Sequence, residues 1–311
     1  MANCYFSPGP DAGTIGTAGW FSRAARTRPV QGIAREAVGD VTWTGKALRM
    51  RRLSARGDGR YLFVPLDHSV SDGPVAGRDE WDELVAALVV GGADAIVVHK
   101  GRARVIDPSV LGPCALIVHL SASTVHGPDR DAKVLVGEAE EAVRIGADAV
   151  SVHVNIGSDT EEQQLADLGA VAASCAAWNV PLLAMAYARG PRVPSQHDPA
   201  VLAHVVNIAA DLGADLVKTS MALPADRMAE VTASCPVPVL AAGGPSDGSD
   251  LVGQCRAAMA AGCRGVAVGR RVFSSASPAS LVAALAVVVH GTGPVPAVDR
   301  DRRLAMTRGA A

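Results

Sequence analysis

From Tyr61 onward, short apolar runs alternate with longer segments whose apolar positions recur every three or four residues. Four runs follow Gly-Ala-Asp or a close relative: GGADAIVVHK (91–100), IGADAVSVHV (145–154), LGADLVKTS (212–220) and the degenerate AGCRGVAVG (261–269). The other four follow a loop, mostly through proline: YLFVPLD (61–67), GPCALIVHL (112–120), VPLLAMAY (180–187) and VPVLAAGG (237–244). Runs of this length between Gly and Pro signals predict buried strands. Helices are predicted over 80–90, 131–145, 160–178, 199–212, 224–233, 249–261 and 278–290, with apolar faces such as Leu165, Leu168, Val171 and Ala172. Strands alternating with helices mean a parallel sheet, and eight such units predict an α/β fold closed into a (β/α)8 TIM barrel. An open doubly wound sheet is the alternative, weakened because no G-x-G-x-x-G follows the first strand.

A barrel places its chemistry at the C-terminal ends of its strands. Those ends carry Asp67 and His68, His99 and Lys100, His119 and Ser121, His153 and Asn155, Tyr187 and Arg189, Lys218 and Thr219, Gly243 and Gly244, and Gly269 and Arg270. Lys218 stands out because burial disfavours an ammonium, and a partly neutral amine is the nucleophile of Schiff-base chemistry. A lysine there also reads as a strand cap or a phosphate holder. Lys100 is the competing nucleophile, or a second cation acting on Lys218 or a substrate oxygen.

Asp67 and Tyr187 offer acid and base capacity, which imine formation needs for a departing hydroxyl and a carbon-bound proton. The glycines of AAGGP (241–245) and VGRR (268–271), with Arg270, predict a phosphate site after strands seven and eight. His99, His119 and His153 end strands ~4.8 Å apart if neighbouring and invite a metal-dependent lyase reading. No carboxylate is placed to orient each imidazole, so the expectation is no metal and no cofactor.

Composition narrows the partners. Hydrophobic residues make up 49% of the chain and aromatics only 4%, which suits Val-rich strands under Ala-rich helices. A formal net charge of −2 argues against nucleic acid or an anionic membrane as the main partner. Six separated cysteines without a C-x-x-C pair suit reduced thiols in a cytoplasmic protein. No apolar core of a signal peptide and no membrane-length run is seen. Residues 1–45 read as a loosely ordered extension, 46–290 as the barrel and 291–311 as a tail. Ala-rich outer helices suggest a homo-oligomer.

PLDHSVSDGP (65–74), VVHKG (97–101), HLSAST (119–124), VHVNIGSDTEEQQLADLG (152–169), LLAMAYARGP (182–191), LVKTS (216–220), AAGGP (241–245) and GVAVGRRVF (265–273) occur in order at the strand ends. Together they resemble the class I aldolases of the archaeal fructose-bisphosphate aldolase group. The resemblance extends to the branch containing 2-amino-3,7-dideoxy-D-threo-hept-6-ulosonate synthase. A related branch makes 2-amino-4,5-dihydroxy-6-oxo-7-(phosphonooxy)heptanoate in secondary metabolism. The resemblance covers roughly 45–290 and implies a Schiff base at Lys218, acid and base work by Tyr187 and Asp67, and phosphate around Gly243, Gly244, Gly269 and Arg270. It places His68 near aldehyde or hydroxyl groups, with Lys100, His153 and Arg189 as further substrate contacts, and suggests a ring assembly such as a decamer.

The pattern departs from the family at Ser69, at Ala188 where proline is usual, and at Thr219, Ser220, Met221 and Ala222, all of which bear on substrate identity. The expected reaction joins a phosphorylated ketose donor, dihydroxyacetone phosphate or a deoxy-ketohexose phosphate, to L-aspartate 4-semialdehyde. Cleavage of fructose 1,6-bisphosphate and a silent sugar-phosphate binder are the alternatives.

Overall fold

The computed structural model describes residues 44–244 and 248–292. The expected extension, apart from its last two residues, and the tail beyond residue 292 lie outside the described residues. Eight parallel strands close the barrel: β1 (Tyr61–Pro65), β2 (Ala95–His99), β3 (Ala115–His119), β4 (Ala149–Ile156), β5 (Leu182–Ala188), β6 (Leu216–Thr219), β7 (Val239–Ala242) and β8 (Gly265–Ala267). They neighbour one another in chain order, and β8 pairs with β1 through Tyr61 opposite Gly265.

Alternate side chains point in and out. Phe63, Val97, Ile117, Leu183, Leu216 and Leu240 fill the interior, while Leu62, Val64, Ile96 and Val98 pack outward against the helices. The covering helices are α2 (Trp81–Gly91), α3 (Ala139–Ile145), α4 (Glu161–Trp178), α5 (Pro199–Asp211), α6 (Met228–Ser234), α7 (Leu251–Ala260) and α8 (Pro278–His290).

The repeated Gly-Ala-Asp has a structural cause. Gly92, Gly146 and Gly213 turn out of their helices at φ of 90°, 97° and 99°, a left-handed conformation that glycine adopts without strain. Each aspartate then brackets one residue of the preceding strand. The N–H of Asp94 donates to Leu62 O and its carboxylate accepts from Leu62 N–H at 2.7 Å. Asp148 does the same to Leu116, and Asp215 to Leu182. In the degenerate copy Arg264 keeps the backbone half, donating to Val239 O, but cannot supply the carboxylate.

Three features differ from the sequence reading. The segment 131–145 is helical only from Ala139, because Val134–Leu135 pairs antiparallel with Ser121–Ala122 in a small hairpin over the barrel mouth. Between β2 and β3 stand two one-turn helices, Lys100–Ala103 and Pro108–Leu111. A helix α1 (Thr44–Leu53) precedes the barrel, and its Leu53 and Met50 pack against the interior cluster. Lys46 of α1 pairs with Asp215 at 3.0 Å and Arg52 with Asp148 at 3.2 Å.

Asp94 finds its cation in α8. The fully buried His290 bonds Asp58 Oδ2 through Nδ1 at 2.9 Å and Asp94 Oδ2 through Nε2 at 3.0 Å. Burial opposes charge on His290, but the hydrogen bonds and charges of Asp94 and Asp58 outweigh it and raise its pKa above 6.5. Burial likewise raises the Asp58 value, yet the bonds from His290 and the Arg60 N–H leave it below 3.8. The His290 contribution is therefore full below pH 6.5 and is lost as pH rises through the higher folded value. The Asp58 contribution is present above pH 3.8 and is lost as pH falls through the lower folded value.

Thermal melts should show Tm falling from about pH 6 toward pH 9. His290→Ala should destabilise the protein at pH 6 by about 3 kcal/mol and flatten that slope, because it strands two carboxylates. An unchanged slope in the variant would remove His290 from this role.

Candidate active site

Strand parity turns Lys218 inward, one step above Leu216 and beside Met185 of β5. Its side chain is buried, 7% exposed, with Nζ 3.9 Å from Met185 Sδ and 5.9 Å from the ring centre of Tyr187. No carboxylate pairs with it among the described residues. An amine facing a thioether and a phenol ring is held in place without being neutralised by an ion pair.

Asp67 follows β1 and reaches the same space. Its Oδ2 lies 3.8 Å from His119 Nε2 and its Oδ1 3.7 Å from His68 Nδ1. Burial raises the Asp67 pKa, but the positive potential of His119, His68 and Lys218 prevails and leaves it below 3.8, so the group is ionised at neutral pH. Asp67 Oδ1 and His68 Nδ1, both at the cavity, are buried without a hydrogen-bond partner. Unsatisfied buried polar atoms in a cavity are places for a substrate to bind. Thr219 Oγ1 is also unpartnered, but strand parity turns it away from the cavity.

The histidines do not converge on one point. His99 and His119 stack edge to face at 5.3 Å, and His119 Nδ1 bonds Ser151 Oγ at 2.8 Å. His153 leans on Tyr187 at 5.0 Å, with Nε2 on Asn155 Oδ1 at 2.8 Å. Among the described residues no three His, Cys, Asp or Glu side chains are grouped to hold a metal ion. Burial depresses all these imidazoles: His119 to about 4, His153 well below 6.5, and His99 and His68 below 6.5.

The tautomer of His153 follows from its neighbours. Asn155 Nδ2 donates to Asp131 O, which can only accept, so Asn155 Oδ1 faces the ring and His153 Nε2 carries the proton. Its Nδ1 is left as an acceptor.

The glycines after β7 and β8 act differently from one another. The Gly243 N–H is committed to Ala267 O, and a Cβ there would meet Val268 Cγ1 at 2.7 Å. It supplies close packing rather than a donor. Gly244 has φ of 68° and open space beside it. Gly269 is pressed between Pro65 O, 2.5 Å from an ideal Cβ, and His68 Cε1 at 2.7 Å. Arg270 lines the cavity and makes no ion pair among the described residues. Arg189 sits over Tyr187, its Cζ 4.2 Å from the ring centre.

Of the residues expected at this rim, Lys100 is absent. Its Nζ pairs with Glu141 at 2.9 Å on the outer side, where Arg104 shares the same carboxylate. The placement corrects its assignment as a competing nucleophile or substrate contact. Its position one residue past β2 lets the first turn of Lys100–Ala103 carry the side chain outward.

Lys133 instead stands at the cavity and escaped the sequence reading because it lies in the hairpin loop, beyond any strand end. The polar stretch following HLSAST was the signal available. The whole space is one cavity of about 1120 Å³ lined by Asp67, His68, Lys133, Tyr187, Arg189 and Lys218 among others.

A barrel with an enclosed amine, an ionised carboxylate and a phenol at one mouth has the equipment of an imine-forming carbon–carbon lyase. Residues 61–275 match the family described as DeoC/LacD family aldolase, and the chain belongs to that family. It is 49% identical over 250 residues to the 2-amino-4,5-dihydroxy-6-oxo-7-(phosphonooxy)heptanoate synthase of Streptomyces griseus, across 80% of this chain and 91% of that one. It is 41% identical over 269 residues to the 2-amino-3,7-dideoxy-D-threo-hept-6-ulosonate synthase of Halobacterium salinarum, across 86% and 97%.

Among solved structures, a Schiff-base-forming fructose-1,6-bisphosphate aldolase superposes with a TM-score of 0.71 at 28% identity, covering 79% of this chain and 100% of that one. An archaeal fructose-1,6-bisphosphate aldolase whose catalytic lysine is covalently bound to the carbinolamine intermediate gives 0.70 at 26%, covering 78% and 99%. The protein is thus an aldolase enzyme, as its strand-end motifs suggested.

Gly269→Ala tests how tightly the rim is set. The added methyl would push His68 away from Asp67, and aldol activity should fall by about tenfold to a hundredfold while the circular dichroism spectrum stays unchanged. Full activity would show that the His68 position is not needed.

Proposed function

We propose that the protein condenses dihydroxyacetone phosphate with L-aspartate 4-semialdehyde through a Schiff base on Lys218. The observation that carries this reading is the un-paired, buried amine of Lys218 beside Asp67 and Tyr187. The choice of substrates follows from the 49% relative, whose product name divides between C4 and C5 into a four-carbon amino aldehyde and a three-carbon ketose phosphate.

In the proposed sequence Lys218 Nζ adds to the ketone carbon of the donor, and the carbinolamine oxygen leaves as water after taking a proton. The iminium draws the electrons of the adjacent C–H bond as a base removes its proton from the hydroxymethyl carbon. The enamine carbon then attacks the aldehyde, whose oxygen takes up a proton, and water hydrolyses the new iminium to release the ketone and the free amine. Asp67, ionised at neutral pH, suits the base, and Tyr187, beside the amine, suits proton delivery to the departing oxygen. The neutral imidazoles suit hydrogen bonding to substrate hydroxyls. Arg270, the open backbone at Gly244 and the close-set backbone at Gly269 suit the donor phosphate.

The metal-dependent alternative finds no support in the separated histidines. The fructose-1,6-bisphosphate aldolases reported above stand at 28% and 26% identity, well below the 49% of the heptanoate synthase. A homo-oligomer is proposed on the exposed apolar residues Val90, Val105 and Val287. The five free cysteines described suit a reducing cytoplasm, and no described helix is long and apolar enough to cross a membrane.

Borohydride reduction in the presence of dihydroxyacetone phosphate should fix the donor to Lys218, detected by peptide mass mapping, with chelator making no difference. Lys218→Met should abolish the adduct and lower kcat by about 10⁴-fold or more, and Tyr187→Phe should lower it by about 10² to 10⁴. An adduct on another lysine, or none, would overturn the assignment.

A further inference from the structure

Besides Arg270, the cavity is lined by the cations Lys133 and Arg189, which lie in a different part of the chain. Lys133 sits there half-buried, donates to the Ser123 hydroxyl, and forms no ion pair among the described residues. Arg189 stands close enough for its charge to be felt at Lys133, and the charge of Lys133 is felt in turn at His153 and His119. After the main effect of burial, Arg189 is the chief influence lowering the Lys133 pKa. A half-buried cation without an ion-pair partner suits an incoming anion.

The position of Lys133 is built rather than incidental. Asp131 O accepts from Asn155 Nδ2 at 2.8 Å and from Gln164 Nε2 at 2.9 Å, and both amide side chains are almost wholly buried. Two buried donors on one carbonyl clamp the loop to β4 and α4, two residues before Lys133. Truncating either would leave buried polar groups unsatisfied.

The charge pattern selects the kind of anion. Asp131 and Asp72 line the same cavity and their carboxylates act on Lys133. Asp72 is already paired with Arg130 at 3.7 Å, whereas Asp131 makes no ion pair among the described residues. A phosphate carrying close to two negative charges would face the Asp131 carboxylate unfavourably. A zwitterion would set its carboxylate on Lys133 and Arg189 and its ammonium toward Asp131. We propose that Lys133 recognises the acceptor's α-amino acid head group, binding its carboxylate together with Arg189, and so selects an amino-acid aldehyde over an uncharged one. This rests on the aldol reading above and names the residue that makes it specific.

Steady-state kinetics on the full chain, with dihydroxyacetone phosphate as donor, test the assignment. Lys133→Ala should raise the KM for L-aspartate 4-semialdehyde by about tenfold or more. Its KM for glyceraldehyde should stay within about twofold, and borohydride trapping of the donor on Lys218 should match the unmodified enzyme. Lys133→Arg should recover most of the lost affinity, which a collapsed loop would not allow.

A KM that is unchanged, or that moves equally for both aldehydes, would overturn the proposal. So would loss of donor trapping in Lys133→Ala, since Lys133 would then serve the donor. Failure of the aldol reading itself is seen separately, in the unmodified enzyme, as no trapped donor or no turnover of the amino aldehyde.

Discussion

An amine held inside an apolar barrel is the constraint around which this mouth is arranged. Lys218 is accommodated by Met185 and the face of Tyr187, neither of which neutralises it. The surroundings then have to limit further positive charge. His68, His119 and His153 each feel Lys218 or another nearby cation, and each is kept neutral chiefly by burial. Asp67 is the counterweight: burial raises its pKa, but the charges that His119 and His68 acquire in acid, with Lys218, bring it below 3.8, so it is ionised where the imidazoles are neutral. The result is one carboxylate and one phenol beside a free amine, with imidazoles left as hydrogen-bonding groups.

The two ends of the barrel divide the work. At the N-terminal end Asp94, Asp148 and Asp215 each bracket the preceding strand, and each also holds a cation: His290, Arg52 and Lys46. Those cations come from α1 and α8, so the carboxylates that organise strand starts also dock the first and last helices. At the C-terminal end, by contrast, polar atoms lining the cavity are left without partners on Asp67 and His68. Satisfied charge serves stability at one end, and unsatisfied polarity serves ligands at the other.

The barrel was legible in the sequence because each strand start carries its own chemical reason. Glycine is needed for the left-handed exit and aspartate for the bracket, so the phrase repeats. Lys218 and Tyr187 were legible because strand parity and the rim rule together fix their direction, and Asp67, two residues past β1, through the rim rule alone. Lys100 misled because one residue past a strand the parity rule stops applying and a helical turn decides the direction. Helix α1 gave no signal because Leu53 is its one buried residue among several basic ones, a pattern no different from a solvated segment. Lys133 was hidden for a related reason: its direction depends on a loop clamped by residues far away in sequence, at Asn155 and Gln164.

Asn155 joins these observations. Its backbone N–H is held by Gln164 Oε1 at 2.8 Å, its amide nitrogen holds the loop at Asp131, and its amide oxygen fixes the proton of His153. Because an amide presents one donor end and one acceptor end, seating the loop and choosing the His153 tautomer are the same event. A loop displaced from Asp131 would free the amide to rotate, and the His153 acceptor atom would no longer be assured beside Tyr187. Asn155 thus helps, with Gln164, to seat the loop that carries Lys133, and it also fixes the hydrogen-bonding state of the ring nearest the phenol. In this barrel the loop at Asp131 and the ring of His153 beside Tyr187 are joined through that amide.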